Sequence, residues 1–148
     1  MKIKRETDHA TKCIIYLSKL TGRNCSVQEI SNENNIPRSF LAKILQKLEK
    51  ADLVRSQQGN QGGFQLSRPA SQINLYEVYF AIQGGIEVNR CVIDRKACDK
   101  IKFCSVHPIW LEIQNDIQEK LSKTNIEELQ KKESEMFDSL IENGIKTK

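Results

Sequence analysis

The chain has 148 residues, 39% of them hydrophobic, a size that suits one modest globular domain with an attached helix. No apolar run approaches the roughly eighteen residues of a membrane-spanning helix, and the charged start "MKIKRETDHA" lacks the apolar centre of a signal peptide, so a cytoplasmic protein is expected. The net charge of +4, from 23 Lys and Arg against 19 Asp and Glu, is compatible with nucleic acid without requiring it.

Ala10, Cys13, Ile14, Leu17 and Leu20 recur at helical spacing and predict a helix over 7–20. After the break "TGRNC", Ser26 stands three residues before Glu29, a capping-box start for a short second helix. "NNIP" is a turn, and Pro37 suits the first position of a third helix reaching about Ala51. That helix should bury Phe40, Leu41, Ile44, Leu45 and Leu48 and leave Arg38, Ser39, Lys43 and Gln46 outside. The period then changes: Leu53-Val54 and Phe64-Gln65-Leu66 read as two short strands around the Gly-rich tip "QGNQGG". Asn74 and Glu77 cap a fourth helix that ends at Gly84-Gly85, with Leu75, Val78, Tyr79 and Ile82 inward. From Pro108 a longer helix carries Ile109, Trp110, Ile113, Ile117 and Leu121. Thr124 with Glu127 should cap a last short helix, and "NGIKTK" should fray.

Helix, helix, turn, helix and hairpin is the order of a winged helix-turn-helix: a mainly α fold with a small β-hairpin and a long dimerisation helix attached. A short helix props a basic one whose outer face enters the major groove of double-stranded DNA. From Arg38 to Arg68, six basic residues face only Glu49 and Asp52. The expected DNA contacts are Arg38, Ser39, Lys43 and Gln46 on the helix, with Gln58, Gly59 and Asn60 on the wing. The alternative, that these are simply a solvated helix face, is lowered by the order of the elements. The division expected is 1–84 for DNA binding, 85–107 for a cysteine loop, 108–135 for the dimerisation helix and a short helix, and 136–148 for a tail. The apolar stripe from Ile109 to Ile117 exceeds what the winged domain would cover, which predicts a homodimer.

Five cysteines in a reducing compartment should be thiols or metal ligands. Cys13 falls on an apolar helix face and Cys25 beside a turn. The other three, Cys91, Cys98 and Cys104, lie with His107 in "CVIDRKACDKIKFCSVH". Intervals of six, five and two residues make coincidence a poor explanation. Structural zinc accepts Cys₃His but favours tighter cysteine pairs. An iron–sulfur cluster is larger, and a loop with wide intervals can wrap it. Spacing favours the cluster only modestly.

The segments "MKIKRETDHATKCIIYL", "LQKLEKADLVRSQQGNQGGFQLSRPASQINLYEV" and "CSVHPIWLEIQNDIQEKL" with "TNIEEL" together resemble the Rrf family of bacterial winged-helix regulators, over about residues 1–130. The resemblance is greatest to IscR-like members, then to NsrR-like ones. It implies a homodimeric transcription regulator, expected to be a repressor, with Cys91, Cys98 and Cys104 as cluster thiolates. It also implies His107 as the fourth ligand of a 2Fe–2S cluster. The alternative is Asp8, where NsrR-like members place an aspartate, with a 4Fe–4S cluster. The chain departs from the IscR-like pattern in three places: the Cys91–Cys98 interval is one residue longer, Gln58 stands where an arginine is common, and Ala42 where a glutamate is. The last two bear on which DNA sequence is preferred. The rival reading is a cluster-free or zinc-bound regulator controlled by a partner protein. No catalytic triad, P-loop or paired-carboxylate site stands out, so no enzyme and no small-molecule substrate are expected.

Overall fold

The structure, a computed structural model described here for residues 1–144, has seven helices and one two-stranded antiparallel hairpin. The helices are α1 (Arg5–Ser18), α2 (Val27–Asn34), α3 (Arg38–Lys50), α4 (Leu75–Gln83), α5 (Arg90–Ile93), α6 (His107–Lys123) and α7 (Ile126–Glu142). The strands β1 (Val54–Gln57) and β2 (Gly63–Leu66) follow α3. The fold is mainly helical and winged, as the periodicity predicts. Among the described residues no helix is long and apolar enough to cross a membrane.

The core is built where apolar faces converge: Ala10, Cys13, Ile14 and Leu17 of α1, Leu41, Ile44, Leu45 and Leu48 of α3, and Val78 and Ile82 of α4. Phe40 and Leu75 are only half-buried. Ser26 accepts the Glu29 amide at 3.1 Å to start α2, and Asn35, in the left-handed region at φ 54°, stops it. Pro37 lies one position earlier than its sequence suggests. It is the N-cap of α3, and its carbonyl accepts the amides of Phe40 and Leu41 at 3.0 and 2.9 Å. Asp52, at φ 56°, then reverses the chain into β1.

Cys25 does more than flank a turn. It is fully buried and exchanges two backbone hydrogen bonds with Phe64, at 2.9 and 2.8 Å, an isolated bridge on the side of β2 away from β1. A Cβ on Gly63 would come within 2.5 Å of the Cys25 carbonyl oxygen, and its φ of 142° already disfavours a side chain.

The C-terminal region departs most from the sequence expectation. Asn125, not Thr124, caps α7, its side-chain oxygen accepting the Glu128 amide at 2.9 Å. The Thr124 carbonyl is taken by the Leu75 amide at 2.8 Å, while the Ile126 amide donates to Ile73 at 2.9 Å. This bridge and the fully buried Ile126 pin the start of α7 to the start of α4. Far from short, α7 runs 17 residues to Glu142, through much of the stretch expected as tail. Its apolar residues keep helical spacing throughout, and a polar sequence does not end a helix without a breaker. Gly144, at φ 71°, provides one. The rest of the expected frayed end lies outside the described residues.

Candidate nucleic-acid interface and cysteine segment

Burial of Leu41, Ile44, Leu45 and Leu48 leaves Arg38, Ser39, Lys43 and Gln46 exposed on the opposite side of α3. Lys47, also basic and on the same helix, is committed elsewhere: its ammonium pairs with Glu6 of α1 at 2.6 Å. The ion pair ties the presenting helix to α1. The ring of His9 on α1 meets Phe40 of α3 edge-on, centroids 5.7 Å apart. Burial, foremost, and then Arg5 lower the His9 pKa, so the neutral ring is the favoured form.

At the wing, Gln58, Gly59 and Asn60 are all exposed, and Gly59 adopts φ 111° in the turn closed by the Gly62 amide. The tip is braced by a residue that pattern reading misses. Asn24 donates to the Gln57 side chain at 2.8 Å and the Gln61 carbonyl at 3.0 Å, and accepts from Gln65 at 2.9 Å. Glu49 of α3 accepts both the amide and the hydroxyl of Ser56 on β1. These two side chains lock the wing to the domain and so fix its angle to α3. No local signal announces them, since their partners lie on other elements.

The cysteine segment is built differently. Cys91 is on the single turn of α5, Cys98 is exposed, and Cys104 follows a 3₁₀ turn over Ile101–Phe103. Short local backbone bonds hold it, such as Ala97 to Asp94 at 3.0 Å, with no fully buried residue between Glu87 and His107. His107 is not held outside α6 by Pro108, as its sequence suggests. It is the first helical residue, where amides need no intrahelical acceptor and a following proline removes nothing. Among the described residues no three Cys, His, Asp or Glu side chains are gathered closely enough to hold a metal ion. The structure therefore does not bring the four expected ligands together. Asp8, the alternative, is exposed on α1 and pairs with Lys12 at 2.9 Å.

The donor set still fits a cluster. All three thiols are free, and two ring nitrogens are buried without a hydrogen-bond partner, Nδ1 of His9 on α1 and Nδ1 of His107, of which only His107 follows the thiols in the same segment. A buried ring nitrogen left unpaired is costly unless something binds it.

A helix that buries one face and shows a basic one, beside a braced Gly wing, defines a winged-helix DNA-binding protein. The chain belongs to the Rrf2 family, described as iron-dependent transcriptional regulators, whose pattern matches residues 3–132. It is 34% identical to the HTH-type transcriptional regulator IscR of Photorhabdus laumondii over 101 residues, 68% of this chain and 61% of that protein. Its fold is similar to T. potens IscR (TM-score 0.74, 20% identity, 92% of this chain and 90% of that one). It is similar also to CymR, the global cysteine regulator of B. subtilis (TM-score 0.72, 24% identity, 88% and 97%).

The five thiols divide by environment. Desolvation pushes those of Cys13 and Cys25 up to about 12, which keeps them protonated and unreactive. In native, metal-free protein at mildly alkaline pH, iodoacetamide should label Cys91, Cys98 and Cys104 and spare Cys13 and Cys25 until the chain is unfolded. Peptide mass spectrometry checks this, and early labelling of Cys13 or Cys25 would contradict the burial described.

Proposed function

We propose that this regulator is a homodimeric repressor whose affinity for DNA responds to an iron–sulfur cluster held by Cys91, Cys98, Cys104 and His107. The observation that carries the reading is the unpartnered, buried Nδ1 of His107 beside a segment with three free thiols. In the proposed division, 1–84 binds DNA, 85–107 holds the cluster and α6 forms the dimer contact. When bound, a cluster supplies a redox-active centre whose retention depends on iron–sulfur supply and oxidants. The chain's own part is to close a loosely held loop around it. α5 packs on α6, α6 on α4, and α4 on both α1 and α3, so the conformation of the segment bears on the helix that faces DNA.

Dimerisation is supported by α6, which has no fully buried residue and leaves Ile109 49% exposed, with Trp110, Ile113 and Ile117 half-exposed along one stripe. A two-fold pair presents two α3 helices to successive half-sites.

At the DNA face, Arg38 and Lys43 are the cations placed to meet phosphate. Arg38→Ala with Lys43→Ala should weaken operator binding and reduce the slope of log affinity against log salt by about one per lost contact. Fluorescence anisotropy over a salt series measures both, and an unchanged slope would remove these residues from the interface.

For the fourth ligand, His107 is favoured with a 2Fe–2S cluster. Asp8 with a 4Fe–4S cluster is the alternative, less favoured because Asp8 already has a partner in Lys12. His107→Ala and Asp8→Ala, purified without oxygen, should differ in absorption and Mössbauer spectra, with the histidine variant altered and the aspartate variant retained. The reverse result would transfer the role to Asp8. A colourless wild-type protein carrying stoichiometric zinc would overturn the cluster reading altogether.

A further inference from the structure

We propose that the last turns of α7 in one protomer dock on the cysteine segment of a second copy, so that each cluster-holding segment of the dimer is covered by its partner's helix. The proposal rests on the dimer reading above and adds a second, reciprocal contact to it.

Both surfaces are apolar and uncovered within one chain. On the segment and its exit, Phe103 is 82%, Ile93 51% and Val106 46% exposed. On α7, Met136 is 68% and Ile141 55% exposed, with Phe137 and Leu140 beside them. Positions 136, 137, 140 and 141 form one helical stripe, continuing the face by which Ile126 and Leu129 pack on the domain. α7 runs back along α1, where Glu133 pairs with Lys19 and Phe137 and Asp138 share a groove with Lys12 and Tyr16. Along and past that groove Met136, Leu140 and Ile141 remain exposed. α5 meanwhile packs on α6. The exposures show that neither patch covers the other in its own chain.

Charge selects the occupant. From Arg90 to Phe103 the segment carries five cations (Arg90, Arg95, Lys96, Lys100 and Lys102) against Asp94 and Asp99. From Glu133 to Glu142, α7 carries four acids and no cation. Among the described residues, none of the five cations has an acidic partner, and of the four acids only Glu133 has a basic one. Pairing α7 with α7, or segment with segment, would set like charges together. Pairing α7 with the segment neutralises both, and under two-fold symmetry it occurs twice. The acidic stretch begins at residue 133, just past the residues 3–132 matched by the family pattern. Its effect is to shield Cys98 and Cys104 from solvent and to make the order of the segment depend on the partner.

The test mixes unlabelled and heavy-isotope-labelled full-length protein under anaerobic conditions, allows subunits to exchange, and applies a zero-length carbodiimide cross-linker. Links from Glu135, Asp138 or Glu142 to Lys96, Lys100 or Lys102 should appear in isotopically mixed pairs. In parallel, Glu135→Lys with Asp138→Lys, and separately Lys100→Glu with Lys102→Glu, should each raise the dimer dissociation constant roughly tenfold by sedimentation. Combining the two pairs should restore it. A sedimenting dimer with no mixed links, or reversals that add instead of compensating, overturns the docking and leaves the dimer standing. A monomer overturns both.

Discussion

The buried face of α3 is the constraint on which the other features depend. Once Leu41, Ile44, Leu45 and Leu48 are committed to the core, the helix cannot rotate about its axis without exposing them. Its outward side chains are then fixed at about 100° per residue from that face. Glu6, reaching Lys47 from α1, and Glu49, reaching Ser56 on β1, prevent the helix from sliding relative to its neighbours. Gly63 does the same for the wing, because only a residue without Cβ permits the approach of β2 to Cys25. Helix and wing are thus held as one rigid surface, the arrangement that reading a groove requires.

The cysteine segment has the opposite character. From Glu87 to Val106 it contributes nothing to the core, its backbone bonds are local, and its thiols are partly or fully exposed where those of Cys13 and Cys25 are sealed. A segment with little packing has a low cost of rearrangement, and a sensing element needs that property. Rigidity at the DNA face and looseness at the proposed cluster site are complementary, linked by the packing of α6 on α4.

Much of this was legible in the sequence because the signals are local. Capping at Ser26 and Asn74, the change of period at Leu53 and the stripe of α6 each depend on neighbours a few residues away. What escaped depends on distant partners. The bridge from Cys25 to Phe64, the wing brace at Asn24 and the bond between Ile73 and Ile126 are tertiary hydrogen bonds with no sequence periodicity. The end of α7 is hard to read because charged residues between Lys131 and Glu142 look like solvated tail, although the apolar positions among them keep helical spacing. The pre-proline preference points His107 away from a helix, but the first helical turn tolerates that position. The ligand set itself came from residue type and family resemblance, because the folded chain leaves the four side chains apart.

If the state of the cysteine segment controls the DNA face, operator affinity must depend on the bound cluster. Operator affinity of one anaerobic preparation, measured by anisotropy before and after the bound cluster is removed by a chelator and reductant, tests it most directly. A change of roughly tenfold or more is expected, the usual size of coupling between two sites. The change should be lost when Cys91, Cys98 and Cys104 are replaced by serine. An affinity that is the same with and without the cluster would contradict that control.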